Sequence, residues 1–136
     1  MEPRLRPLVA FAIDLALVAV FVAIGRASHG EDQSAWIATF WPFAIGLIAG
    51  WAVARGWRRP FAIAHTGLPA WVGAVVVGML LRAVAGQGVQ VAFVVVASIV
   101  LGAFLLGWRF LLVALERSAN RGANTRGPVG FFLRRR

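Results

Sequence analysis

LVAFAIDLALVAVFVAI, Leu8–Ile24, is an apolar run of about seventeen residues interrupted once, by Asp14. A run of this length spans a bilayer as a helix. A carboxylate inside such a helix is costly, so it marks a site and requires a partner. Asp14 sits roughly 9 Å into the run at the rise of an α-helix. Arg4 and Arg6 precede the run and Gly25-Arg26-Ala27-Ser28-His29 follows it. A basic head, an apolar run and small residues at Gly25 and Ala27 also describe a signal peptide. The run is long for that, and Asp14 falls where a leader is most apolar, so a retained first helix is expected.

Three further apolar runs follow. Ala35–Ala54 carries Trp36, Trp41 and Trp51 near its ends, where Trp favours the lipid–water interface. Asp32 or Ser34 in the preceding turn is expected to cap it. Pro42 removes one backbone donor inside it, and a kink is expected there. Gly46 and Gly50 form a small-residue face that admits another helix at close range. Arg55–Gly67 is a basic loop with a short apolar patch, Phe61–Ala64. Leu68–Ala85 is the weakest run and has Arg82 near its end, from where Arg can snorkel to the headgroups. Val89–Leu115 is the longest, with small residues at Ser98, Gly102 and Gly107.

The composition agrees with a membrane protein. Hydrophobic residues make up 60% of the 136, charged residues only 14%, and mean hydropathy is +0.80. A soluble domain lies nearer half apolar and a quarter charged. There is no Cys, which excludes disulfides and thiol chemistry, and no Tyr, which excludes phenol acid–base chemistry. The net charge of +9 comes from 14 Arg and no Lys. These Arg flank apolar runs, so they read as topology and not as a nucleic-acid surface; no nucleic acid is expected as a partner.

With the N-terminus inside, twelve of the 14 Arg fall on the cytoplasmic side, leaving only Arg26 and Arg82 outside. The positive-inside rule selects that orientation. The expected fold is therefore an all-α integral membrane bundle of four transmembrane helices, over residues 8–25, 35–54, 68–85 and 89–115, with N and C termini cytoplasmic. Residues 1–117 form the transmembrane domain, and 118–136 a basic cytoplasmic tail without regular structure.

Three polar constellations stand out, of which the inner loop with Arg55, Arg58, Arg59 and His65 reads as topogenic charge. The first is Asp14 with Arg109, which come together if the first and fourth helices are neighbours. Such a pair either fixes helix packing or holds a carboxylate that carries a proton or ion. The second is an outer cluster of Arg26, His29, Glu31, Asp32 and Arg82. Paired guanidinium groups suit an anion or a lipid headgroup, and His29 could report external pH. Ordinary loop roles account for the same residues: Arg26 snorkelling, the acids capping, His29 solvated. One His with two acids at short loop spacing is no metal pattern. No phosphate loop, nucleophile elbow or zinc-protease motif occurs. No cofactor, metal or enzyme activity is expected.

Asp14, Gly25-Arg26-x-Ser28-His29, Pro42-Phe43, Gly50-Trp51, Arg82 and Gly107-Trp108-Arg109 together resemble the actinobacterial membrane-protein family DUF3054, from about Pro7 to Arg109. The resemblance implies a four-helix membrane protein from such a source and brings no activity, substrate or cofactor. The architecture is also similar to that of small multidrug transporters, which carry an essential acid in their first helix. Their acid is Glu and works with Tyr, whereas this chain has Asp and no Tyr.

The expected function is that of a non-enzymatic component of the bacterial plasma membrane, with the Asp14–Arg109 pair structural. The alternative is a small proton-coupled transporter or channel using Asp14. Expected partners are the lipid bilayer, anionic lipids at the basic cytoplasmic side, and a second copy in a homodimer. Gly46, Gly50, Ser98, Gly102 and Gly107 are the expected helix-packing positions.

Overall fold

The computed structural model describes residues 1–28, 30 and 32–132. It is built from four helices: α1 (Leu5–Ser28), α2 (Trp36–Ala54), α3 (Leu68–Val84) and α4 (Val91–Phe132). All four segments are long and apolar enough to cross a membrane, α3 together with the π-helical turn Ile63–Gly67 that leads into it. The chain is a multi-pass membrane protein. Large apolar side chains such as Val53, Val84, Leu80 and Ile99 point outward. The core is small and runs through the bundle: Val18 and Val22 on α1, Phe43 and Leu47 on α2, Ala70 and Ala74 on α3, Leu101 and Leu105 on α4.

The tightest packing joins α2 to α3, because glycines bring their backbones together. A Cβ on Gly46 would lie 2.5 Å from the Gly73 carbonyl oxygen, and one on Gly50 would overlap the Pro69 carbonyl. Gly73 reciprocates against Gly46 and Gly50. On α4, Gly102 and Ser98 receive Trp71 of α3, whose Nε1 donates to the Ser98 carbonyl at 2.8 Å. These small-residue faces are thus filled within the chain. Gly107 differs, since a Cβ there would meet nothing within 4 Å.

Two element ends depart from the sequence-based expectation. Neither Asp32 nor Ser34 caps α2; a 3-10 turn, Gln33–Ala35, intervenes, and Asp32 instead accepts from the Ser34 amide. The helix α4 continues through the basic tail to Phe132. Leu115, Glu116, Arg117 and Ala119 favour helix over the first part of this extension, whereas Gly127-Pro128 further along do not.

Pro42 lies inside α2, buried. It cannot donate to the Ala38 carbonyl four residues back. That carbonyl is met instead by Gln87, whose Nε2 donates at 2.8 Å from the turn between α3 and α4. Positive φ at Gly86 and Gly88 shapes this turn and sets Gln87 between them. Gln87→Ala is expected to cost about 1 kcal/mol of stability. In a Pro42→Ala background, where the helix satisfies Ala38 itself, the same substitution should cost clearly less. Equal costs in both backgrounds, read by thermal unfolding, would show that Gln87 does not stand in for the missing helix bond.

Candidate functional site

The helices converge on Asp14. Its side chain and that of Arg109 are both 0% exposed, so any unmet polar atom here carries its full desolvation cost. Arg109 on α4 faces Asp14 on α1 side by side: Nη1 donates to Oδ1 at 2.8 Å and Nη2 to Oδ2 at 2.7 Å. This two-pronged geometry is the strongest a guanidinium and a carboxylate can make.

Two indoles complete the carboxylate. Trp51, at the end of α2, donates its Nε1 to Oδ2 at 2.9 Å, and Trp108, on α4, donates its Nε1 to Oδ1 at 2.8 Å. Each oxygen therefore accepts two hydrogen bonds, which uses the four acceptor positions of a carboxylate. The guanidinium is equally full. Its Nε and Nη2 donate to the Pro60 carbonyl at 3.2 and 3.1 Å, and Nη1 also donates to the Leu105 carbonyl at 2.8 Å. With the two bonds to Asp14, all five N–H groups are used. Arg109 also lies over the Trp108 ring, 4.6 Å from its centroid.

The loop between α2 and α3 supplies Pro60, and local contacts hold it in place. Arg55 ends α2 in a left-handed conformation (φ 52°) and turns the chain back. Buried Thr66 donates its hydroxyl to the Arg59 carbonyl at 2.6 Å, pinning the residue before Pro60. Gly67 leaves room for the arginine stem: a Cβ there would lie 3.0 Å from Arg109 Cδ. Aromatic edges close the surroundings, with Phe11 against Trp51 and Phe61 against Trp108.

Of the sequence candidates, Asp14 and Arg109 are thus in direct contact. Trp51, Trp108, Pro60 and Thr66 join them and were not among the candidates. Trp51 in particular reads from sequence as an interfacial anchor.

The outer candidates lie at the opposite end of the bundle. Arg26 donates through Nε to the Asp32 carbonyl at 3.0 Å, through Nη2 to the same carbonyl, and through Nη1 to Thr39 Oγ1 at 2.8 Å. Arg82 donates to Gln87 Oε1 at 3.1 Å and stacks over Phe93, 4.6 Å from the ring centroid. Both arginines line a cavity of about 420 Å³. Asp32 stays in the loop, where the Ser34 hydroxyl (2.6 Å) and amide (3.0 Å) donate to it. Those two bonds hold its carboxyl below the usual 3.8 against the opposing effect of desolvation, with a lesser contribution from the charge of Arg26. His29 and Glu31 lie outside the described residues. Among the described residues, no group of three or more His, Asp and Glu side chains is placed to hold a metal ion.

A family model described as "Protein of unknown function (DUF3054)" matches residues 11–112. The matched segment contains Asp14, Trp51, Pro60, Trp108 and Arg109. No curated protein and no solved structure matches the chain.

Proposed function

We propose that this chain, which belongs to the DUF3054 family of proteins of unknown function, is a non-enzymatic, multi-pass component of the bacterial plasma membrane. Its intramembrane Asp14–Arg109 pair then acts as a polar lock that fixes the register of α1, α2 and α4. In this reading both termini and the Arg55–Gly67 loop face the cytoplasm, in keeping with the distribution of Arg.

The supporting observation is saturation. All acceptor positions of Asp14 and all donors of Arg109 are filled by protein groups. A coupling carboxylate has to exchange partners with a proton or ion during each cycle. Opening this site would leave a buried guanidinium without its counter-charge and the buried Trp51 N–H without an acceptor at once, and each is costly.

Purified protein in liposomes with an imposed pH gradient tests the reading. The gradient should decay at the rate of protein-free liposomes. Decay that is faster than in empty vesicles, and slowed by Asp14→Asn, would sink the structural role and establish Asp14 as a carrier.

A further inference from the structure

The same loop that carries Pro60 forms, on its other side, a recess of about 380 Å³ against the first turn of α1. Arg6 from α1 and Arg58 and Arg59 from the loop line it, together with Trp57, Pro60 and Phe61. Three arginines from two separate segments thus line one hollow together with apolar and aromatic residues. Among the described residues none of the three forms an ion pair, and Arg6 lies over the Phe61 ring, 5.4 Å from its centroid. Glu2, the carboxylate nearest to Arg6 in sequence, forms no ion pair with them. Like charges held together without a counter-charge repel, which favours occupation by an anion.

Guanidinium groups match phosphate oxygens in a planar, two-pronged fashion. The Trp57 side chain beside them is 53% exposed, as suits an indole at the headgroup level. The recess lies beside the first turn of α1, next to the start of its apolar span, which suits a lipid headgroup better than a free anion. We propose that Arg6, Arg58 and Arg59 form a binding site for a phosphate group, carried by the headgroup of an anionic membrane lipid. Occupation would brace the loop whose Pro60 carbonyl receives Arg109. Ligand binding therefore stabilises the folded chain by mass action. The site does not depend on the structural role of Asp14, because a transporter would keep it too.

The test titrates detergent-solubilised protein with phosphatidylglycerol, with phosphatidylcholine and with inorganic phosphate, and reads the unfolding midpoint. Two variants are compared with the parent. One removes the site (Arg6→Gln, Arg58→Gln, Arg59→Gln). The other removes the same charge elsewhere (Arg4→Gln, Arg55→Gln, Arg117→Gln). All three recess arginines are exposed, so the first variant keeps the core intact. Phosphatidylglycerol should raise the midpoint by several degrees in the parent and the control variant, and not in the site variant. Phosphatidylcholine should leave all three unchanged. A full shift with inorganic phosphate alone would assign the site to a soluble anion and overturn the lipid. Equal loss of the shift in both variants, or no shift in the parent, would overturn the site itself.

Discussion

Arg109→Met is expected to cost the folded chain about 3–5 kcal/mol, the range for breaking a buried ion pair by removing one partner. The methionine fills much of the volume but removes five donors. Asp14 keeps only the two indole bonds, and the Pro60 carbonyl loses both of its donors. Asp14→Leu is expected to be similarly damaging, since it leaves the guanidinium buried with backbone carbonyls alone. The double variant is the informative one. It removes both charges, so the largest penalty of each single change disappears. What remains is two indole N–H groups and one carbonyl without their partners, at about 1–3 kcal/mol for each that stays buried. Trp108 is only partly buried and can turn toward the headgroups. The double variant should therefore be close in stability to Arg109→Met alone, and more stable than the sum of the two single losses. Unfolding in lipid discs measures this directly as a double-mutant cycle. Strictly additive losses would mean that Asp14 and Arg109 stabilise the bundle separately, and the polar lock would be abandoned.

The charges at the centre of this site were legible because apolar runs contain so few of them. An acid in one span and an arginine in another have a narrow set of ways to avoid exposure to lipid. The indoles were not legible in the same way. A Trp at the end of a span ordinarily marks the interface, and Trp51 and Trp108 both sit near span ends. The Gly-Trp pair at Gly50-Trp51 and Gly107-Trp108 does not distinguish them, because it recurs at Gly56-Trp57, whose indole is exposed. In the folded chain both indoles reach the same carboxylate. Pro60 gave no sequence signal at all, because it contributes a backbone carbonyl and every residue has one. The Pro42 case is intermediate. A proline inside a helix announces an unmet carbonyl at Ala38, but nothing local says that Gln87 will meet it. Likewise Gly46 and Gly50 announce a close approach without naming Gly73 and Pro69 as what approaches.

That close approach carries the second large effect. Gly50→Ala is expected to destabilise the bundle by about 3 kcal/mol, at the upper end of the ordinary cost of overpacking. The added methyl would overlap the Pro69 carbonyl oxygen and lie 2.9 Å from its carbon and 3.0 Å from Ala70 Cα. These are backbone atoms, so no rotamer change relieves the contact and α2 must move away from α3. Within a membrane, lipid chains are as apolar as the side chains they replace, so packing itself holds the helices together. Gly50 also directly precedes Trp51, so the same displacement pulls the indole off Asp14 Oδ2. Gly107→Ala is the matched control. It too replaces a helical glycine before a site tryptophan, but its Cβ meets nothing within 4 Å. There only the helix preference of Ala over Gly acts, worth up to about 1 kcal/mol in favour of the variant. The two substitutions should therefore shift the unfolding midpoint in opposite directions. If Gly50→Ala were neutral or stabilising, the α2–α3 backbone contact would not be what positions Trp51, and the indole would have to be held by Asp14 itself.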